Sequence, residues 1–506
     1  PILPQVLGVF CPQALPSQRS ERSAIIPMAT AVLLAGDEKR ADMSGAPMPM
    51  NHSELTMRRN ATFPSEFNVP TPIINVVLLM ESLPSEEDVH NLTRSKLLPF
   101  RRFCAVAGED GLWQPLSADD VKLTYHVRTE VAVATQSEFA AAVERICGDE
   151  LDMTQPLFRL HLVPSHHPDV DPALIIRIHH CISDGVHLVQ SLLGAGFATD
   201  ERGLEPEPFL PKMPGERPAR RLSRLCRRVG MTLGAMPAFL SNVAASKRRL
   251  KSSATSWHGP VETRPPVATP PGRRAVVLLP PHSLDYVKAC KNAAKVSLND
   301  VVQSVTAGAI RRYCERQGDA LFQPDQPSKA MFRALVPVSL PRQFPGHHDS
   351  SDRMTNNFCF CSASLPVGEV EPLARVRATN REMSRLKKSM KPIVGLWTVN
   401  KLMPKLPLKA SQQTAQDLFR CHSLVFSNVP GPQKQLFICG LPVKGVQAVF
   451  LNAIPQVILT SYNGSIWMAF TADPELVQDT GAFVECYLEE LSELGKSLCL
   501  DVDLVA

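Results

Sequence analysis

The sequence predicts an α/β (α+β) fold made of two halves of similar content, each a mixed sheet with helices on one side. Three observations carry this. Apolar runs of strand length alternate with stretches of helical spacing on both sides of residue 205. A chain of 506 residues with 44% hydrophobic content suits two or three domains, or two halves around one cleft, with real cores. Between the halves, residues 205–274 turn Pro-rich and basic, which marks a crossover.

The folded region is predicted to begin near Phe67, with a first strand over residues 73–79. A helix over 86–98 follows, then strands around 104–106 and 121–127 and a helix over 139–147. The next element is the most informative. Ala173-Leu-Ile-Ile-Arg-Ile178 is apolar and β-branched, a buried strand. Val186, Val189, Leu192 and Leu193 then fall at helical spacing. His179, His180, Asp184 and Gly185 lie in the turn between, where a rigid scaffold presents side chains to a cleft. A histidine there can act as a general base. An aspartate four residues on can fix its ring, brace the loop through an arginine, or simply cap the helix.

The pattern His-His-x-x-x-Asp occurs three times. The copy at 166–171 sits in a Pro/Asp-rich connection between two strands, and the copy at 347–352 has neither strand before it nor helix close behind. Only the copy at 179–184 has strand, glycine and helix in order, so context selects it.

In the second half, strands are predicted over 275–279, 332–338, 358–363, 424–427, 457–462 and 466–470. Helices are predicted over 283–294, 300–314, 370–389 and 480–499. The crossover carries Arg217, Arg220, Arg221, Arg224, Arg227 and Arg228, an apolar stretch over 229–245, then Lys247, Arg248, Arg249 and Lys251. No acidic residue occurs between Arg217 and Pro260. This is the composition of an interfacial segment meeting anionic lipid, or of a crossover helix with a solvated basic face. Residues 1–49 read as a poorly structured leader without secretory layout, and no run of eighteen apolar residues occurs anywhere. A net charge of +5 implies no nucleic-acid footprint. Thirteen cysteines without a paired C-x-x-C framework, among them Cys147, Cys290 and Cys486 in apolar helical patterns, favour reduced thiols and an intracellular setting. No zinc site is spelled out.

With this context the chain resembles the acyl-CoA-dependent acyltransferases that share His-His-x-x-x-Asp-Gly. Within them it is most similar to the bifunctional wax ester synthase/diacylglycerol acyltransferase family. Pro156-Leu157-Phe158 looks like the family's Pro-Leu-Trp segment, with phenylalanine for tryptophan. Asn299-Asp300 matches its Asn-Asp motif, and Ser427-Asn428-Val429-Pro430-Gly431-Pro432 a C-terminal signature. Ser461-Tyr462-Asn463-Gly464 with Asp473 resembles the strand and turn that follow. The Asp-Phe-Gly-Trp-Gly motif of plant-type relatives is missing, and no carrier-like segment accompanies the chain as it would a peptide-synthetase condensation domain.

The resemblance implies two chloramphenicol-acetyltransferase-like halves around a shared substrate tunnel, the first over 50–204 and the second over 275–506. It implies acyl-CoA as substrate, a long-chain alcohol or diacylglycerol as acceptor, and no cofactor or metal. His180 is then the base, Asp184 orders the loop, Gly185 lets the chain turn closely, and His179 supports. Asn299 and Asp300 either cap a helix or stand near the cleft. Ser427 and Asn428 either face the tunnel or start a turn, and Pro156 to Phe158 pack more than they react. A peripheral place on the endoplasmic reticulum membrane or a lipid droplet is expected, through Arg220, Arg221, Arg224, Arg227 and Arg228. Two alternatives stand beside this reading: a same-fold acyltransferase with a polar or carrier-bound acceptor, and a catalytically silent lipid-binding protein.

Overall fold

The computed structural model describes residues 46–207, 255–258, 274–339, 354–389 and 391–500. The leader up to residue 45, the five crossover arginines and the motif copy at 347–352 lie outside the described residues.

Two sheets carry the fold. The first runs in the order β13 (Phe437–Ile438), β14 (Leu441–Phe450), β2 (Ile73–Met80), β7 (Ala173–His179), β6 (Phe158–Val163) and β5 (Val127–Thr129). All neighbours are antiparallel except the parallel pair β5 and β6. The second runs β11 (Phe358–Leu365), β10 (Phe332–Ser339), β12 (Leu424–Pro430), β15 (Gln456–Tyr462), β16 (Ser465–Ala472) and β8 (Ala275–Leu278), with β9 (His282–Ser283) also on β16. A small sheet of β1 (Met48–Pro49), β4 (Leu112–Pro115) and β3 (Ala105–Ala107) lies beside the first.

Strand β7 is central because every one of its seven residues is buried, as its near-continuous apolar run demands. Its one charge, Arg177, is accommodated because Nε donates to Asn75 Oδ1 at 3.1 Å and the guanidinium also reaches the Asp149 carbonyl. The hairpin β15–β16 turns through Asn463 and Gly464, both at positive φ (46° and 79°), the two-residue Asn-Gly turn that matches strand twist. Helices Leu298–Arg316 and Thr480–Ser497 share one apolar core with the second sheet. Between them, Arg312 meets Glu490 at 2.9 Å and Arg375 binds the same carboxylate.

Residues 121–127 depart from the strand reading. Leu123–His126 is a helical turn, held by His126 Nδ1 bonding the Phe158 carbonyl at 2.8 Å and by its ring stacking on Phe158 at 4.2 Å. Only Val127–Thr129 is strand. The helix predicted over 86–98 ends at Leu92 and finishes as a π-helical turn, Thr93–Leu97.

The division at residue 274 is crossed by β13 and β14, which come late in the sequence and complete the first sheet against β2. Strand β14 also touches the second sheet. Gln447 Nε2 donates to the Leu279 and Met468 carbonyls, at 3.0 and 3.2 Å, and Thr471 Oγ1 donates to the Phe450 carbonyl at 2.9 Å. The register shifts between Val443 and Gly445, and a Cβ at Gly445 would overlap the Trp467 indole. Glycine is therefore required there for approach. Gly445→Val is expected to cost about 1–3 kcal/mol through this overlap, read as a lowered Tm. Gly148→Ala, where a Cβ meets nothing, should barely move it. Equal melting of the two variants would refute the close contact.

Candidate active site

The loop after β7 is braced on both sides. From the N-terminal side, Arg102 Nη1 donates to the Ile182 carbonyl at 2.7 Å and pairs with Glu54 at 2.9 Å. Glu54 is itself fixed by a capping box with Asn51. An arginine does brace this loop, but through a backbone carbonyl and not through Asp184. From the other side comes a segment distant in sequence, residues 354–357. The Asp184 N–H donates to the Thr355 carbonyl at 3.1 Å, and the Asn357 N–H donates to Asp184 Oδ2 at 2.9 Å.

Asp184 is the N-cap of helix Gly185–Gly194, accepting the His187 N–H at 3.1 Å. The His187 ring donates from Nδ1 to the same carboxylate at 2.8 Å. Burial alone pushes the Asp184 carboxyl up. The His187 ring and the two backbone N–H groups outweigh it and hold the group below its ordinary range. Asp184 makes no bond to His180: it clamps the loop.

His180 stands at the seam of the two sheets. Its N–H donates to the Pro72 carbonyl at 2.8 Å. Its ring lies 5.2 Å from Phe358 at the start of β11 and 5.7 Å from Phe450 at the end of β14. Its Nδ1 is 2.9 Å from Asn356 Oδ1. The amide orientation follows from its other bonds, because Asn356 Nδ2 donates to the His180 carbonyl at 2.8 Å and to the Cys181 carbonyl at 3.3 Å. Oδ1 must then accept, so the proton sits on Nδ1 and the lone pair on Nε2. No described residue bonds Nε2, and the side chain keeps some exposure. Burial lowers the His180 pKa below 6.5, opposed by the Asp184 charge and the Asn356 bond, so the ring is neutral near pH 7. A neutral, oriented imidazole with a free Nε2 can accept a proton.

The other predicted residues sort as follows. His179 is the last residue of β7 and wholly buried. Its Nδ1 accepts the Cys181 N–H at 3.1 Å, and burial, then His180 and Arg58, depress its pKa to about 3. It supports the loop as a neutral ring. Gly185 departs from expectation: its φ is not positive and a Cβ there meets nothing within 4 Å. Neither a turn nor a close contact requires glycine at this position. Leu157 accepts the His179 N–H at 2.9 Å, and Phe158 opens β6. With Pro156 they form part of the buried packing under the loop.

Asn299 and Asp300 begin helix Leu298–Arg316, but its cap is Ser297, with Asp300 closing the capping box. Asn380 Nδ2 donates to Asp300 Oδ2 at 2.8 Å. Asn299 is exposed and its Oδ1 accepts from Asn428 Nδ2, so two motifs 129 residues apart meet. Ser427 and Asn428 lie within β12, half-buried, before the Pro-Gly-Pro turn. Gln303, one turn beyond Asn299, has both amide atoms buried without a partner. No hydrogen bond joins this group to His180 among the described residues. The copy at 166–171 is an exposed loop between β6 and β7, with Asp171 paired to Lys444. Asn356, Asn357 and His187 escaped the sequence reading. The signal for His187 was its place three residues after an N-cap aspartate, whereas nothing local marked the asparagines.

Comparison with known proteins gives the family. Residues 96–302 match the wax ester synthase/diacylglycerol acyltransferase catalytic domain, and residues 354–495 match the WS/DGAT C-terminal domain. A curated relative, wax ester synthase/diacylglycerol acyltransferase 11 of Arabidopsis thaliana, is 24% identical over 371 residues, covering 69% of this chain and 75% of the relative. In fold the chain is similar to the wax ester synthase/diacylglycerol acyltransferase of Marinobacter aquaeolei VT8. The TM-score is 0.57 at 18% identity, over 90% of this chain and all of that one. It is also similar to the first condensation domain of the calcium-dependent antibiotic synthetase, with a TM-score of 0.56 at 12% identity, over 92% and 100%.

Asp184→Asn keeps the shape but turns an N–H toward buried donors that need an acceptor. It is expected to cost about 1–3 kcal/mol and to lower Tm, while His167→Ala, in the exposed loop, should leave it unchanged. An unshifted melt for Asp184→Asn would show that the clamp does not hold the loop.

Proposed function

Since the chain belongs to the wax ester synthase/diacylglycerol acyltransferase family, we propose that it moves a fatty acyl group from acyl-CoA to a long-chain alcohol, to diacylglycerol, or to both. The observation that carries the proposal is the setting of His180: Nδ1 faces Asn356 Oδ1, whose amide nitrogen is taken up by the His180 and Cys181 carbonyls, and Nε2 is unbonded among the described residues. Nε2 takes the proton of the acceptor hydroxyl as its oxygen attacks the thioester carbonyl carbon. The tetrahedral intermediate collapses with loss of the coenzyme A thiolate, and His180 returns the proton to that sulfur. The products are an ester and the free thiol. The positive charge that His180 carries in between is met by Asn356 Oδ1 and by the field of Asp184. The room at Gly185 suits the close approach of a thioester. Ser427, Asn428, Asn299 and Asp300 support the walls of the acceptor path.

The water-insoluble acceptors place the enzyme peripherally on the endoplasmic reticulum membrane or a lipid droplet. Support comes from the basic-flanked segment over 217–251, and among the described residues no helix is long and apolar enough to cross a membrane. Co-sedimentation with anionic liposomes, comparing wild type with Arg220, Arg221, Arg224, Arg227 and Arg228 all changed to glutamine, reads that contribution at low salt.

The direct test of the reaction is expression in cells lacking neutral lipid, followed by identification of the esters that accumulate. His180→Ala should reduce turnover by about 10²–10⁴ without unfolding the protein, and His166→Ala should stay within a few-fold. Accumulation of no ester, or full turnover by His180→Ala, would overturn the reading. Activity needs neutral His180, whose pKa lies below 6.5. The acid limb of kcat/KM should therefore fall at a pH below 6.5, with activity still present at pH 6.5. Asn356→Ala frees Nδ1 and allows the proton on Nε2, so kcat should drop more than KM rises.

A further inference from the structure

Four tryptophans occur in the chain. Trp113, Trp257 and Trp467 are buried, but Trp397 is 51% exposed. It ends helix Lys391–Trp397, and the chain continues through a π-helical turn, Thr398–Leu402, and a 3-10 turn, Met403–Lys405, to helix Leu408–Arg420. Leu408 is 56% exposed, and Val399, Leu402, Met403 and Leu406 are each partly so. Between Glu382 and Asp417 no acidic residue occurs, while Lys387, Lys388, Lys391, Lys401, Lys405 and Lys409 do. Among the described residues none of these lysines forms an ion pair, and Lys401, Lys405 and Lys409, spaced by four, are exposed.

The helix that ends at Trp397 is anchored firmly from beneath. Leu396, the neighbour of Trp397, is buried in a cluster with Cys359, Cys361, Met383 and Leu386. A Cβ at Gly395 would stand 3.1 Å from Cys359 Sγ, so the helix lies directly on β11. That strand begins at Phe358, against the His180 ring, and follows Asn356 and Asn357. Trp397 thus ends a helix that lies on the strand leading out of the site, and the exposed lysines and Leu408 follow it along the chain.

We propose that Trp397 and the exposed residues that follow it, Lys401, Lys405, Leu408 and Lys409, dock on an anionic phospholipid surface. These residues could serve another protein, but the apolar side chains among them are interleaved with lysines, and the cores of protein interfaces are depleted in lysine. A lipid interface favours the opposite arrangement. The indole settles at headgroup level, lysine stems lie along the apolar boundary, and their ammonium groups meet lipid phosphate and carboxylate. The proposal rests on the acyltransferase reading for its purpose, which is to bring the site to a reservoir of dissolved acceptor. The docking itself is measured without turnover.

Trp397 is its own reporter. The difference in emission between wild type and Trp397→Phe isolates it from the three buried indoles. In the full chain this difference is expected to shift to the blue on adding phosphatidylcholine vesicles that contain phosphatidylserine, and to be quenched when the acyl chains are brominated. Pure phosphatidylcholine vesicles should do so more weakly. Changing Lys401, Lys405 and Lys409 to glutamine should raise the apparent Kd several-fold at low salt. Turnover with a short, water-soluble alcohol should stay unchanged. Vesicle binding without quenching of Trp397 would place membrane contact elsewhere and overturn the proposal. A blue shift that follows protein concentration and ignores vesicles would assign these residues to a second copy of the chain, and overturn it too. Quenching in a protein that makes no ester would leave the docking standing and refute only the acyltransferase reading.

Discussion

The hydrogen bond between His180 Nδ1 and Asn356 Oδ1 joins residues 176 positions apart and sets the protonation of the imidazole. It works because Asn356 has no freedom to flip. Its amide nitrogen donates to the carbonyls of His180 and Cys181, so only its oxygen is left to face the ring. The rest of the site holds this pair in register. Arg102 and Glu54 grip the loop from one side, while Asp184, through the His187 ring and the Asn357 N–H, grips it from the other. The aspartate of the motif therefore acts on His180 without bonding it, by clamping the loop and through its charge.

That arrangement places His180 at the seam of two sheets. His180 follows the end of β7 in the first sheet, and its ring neighbours are Phe450 on β14 of that sheet and Phe358 on β11 of the second. Strand β14 is hydrogen-bonded into the first sheet and bound through Gln447 and Thr471 to the second. The tight passage of Gly445 past Trp467 leaves little freedom for the two sheets to slide. The second polar group, Asn299 with Asn428, is built differently. It joins a helix start to a strand end and stays accessible.

Much of this was legible in the sequence. The β-branched run of β7, the N-cap position of Asp184 and the helical spacing beyond it are local signals, and they separated one His-His-x-x-x-Asp copy from two others. The strands of the second sheet were legible for the same reason. Asn356 was not, because an Asn-Asn pair beyond a Pro/Gly/His-rich stretch has no periodicity, and its role exists only against a partner far away. Strand β14 was hidden by Lys444, Gly445 and Gln447, which look like breakers. In the fold, Gln447 is buried and satisfied, and Gly445 is required. Residues 121–127 read as strand from Val121 and Val127, yet the stacking of His126 on Phe158 overrode that propensity. The glycine of the motif was expected to turn the chain, whereas the backbone there is ordinary and would admit a Cβ.

The late arrival of β14 bears on how the chain is made. Strands β2 and β7 emerge from the ribosome early and can pair, but the other edge of β2 waits for residues that lie more than 350 positions further on. Until then that edge is an open template for any passing strand. Closing so large a loop is entropically slow, and it rewards the chain only when the second sheet is present to hold β14 in place. The N-terminal half is thus a dependent partner in synthesis, and His180 acquires its ordered surroundings last.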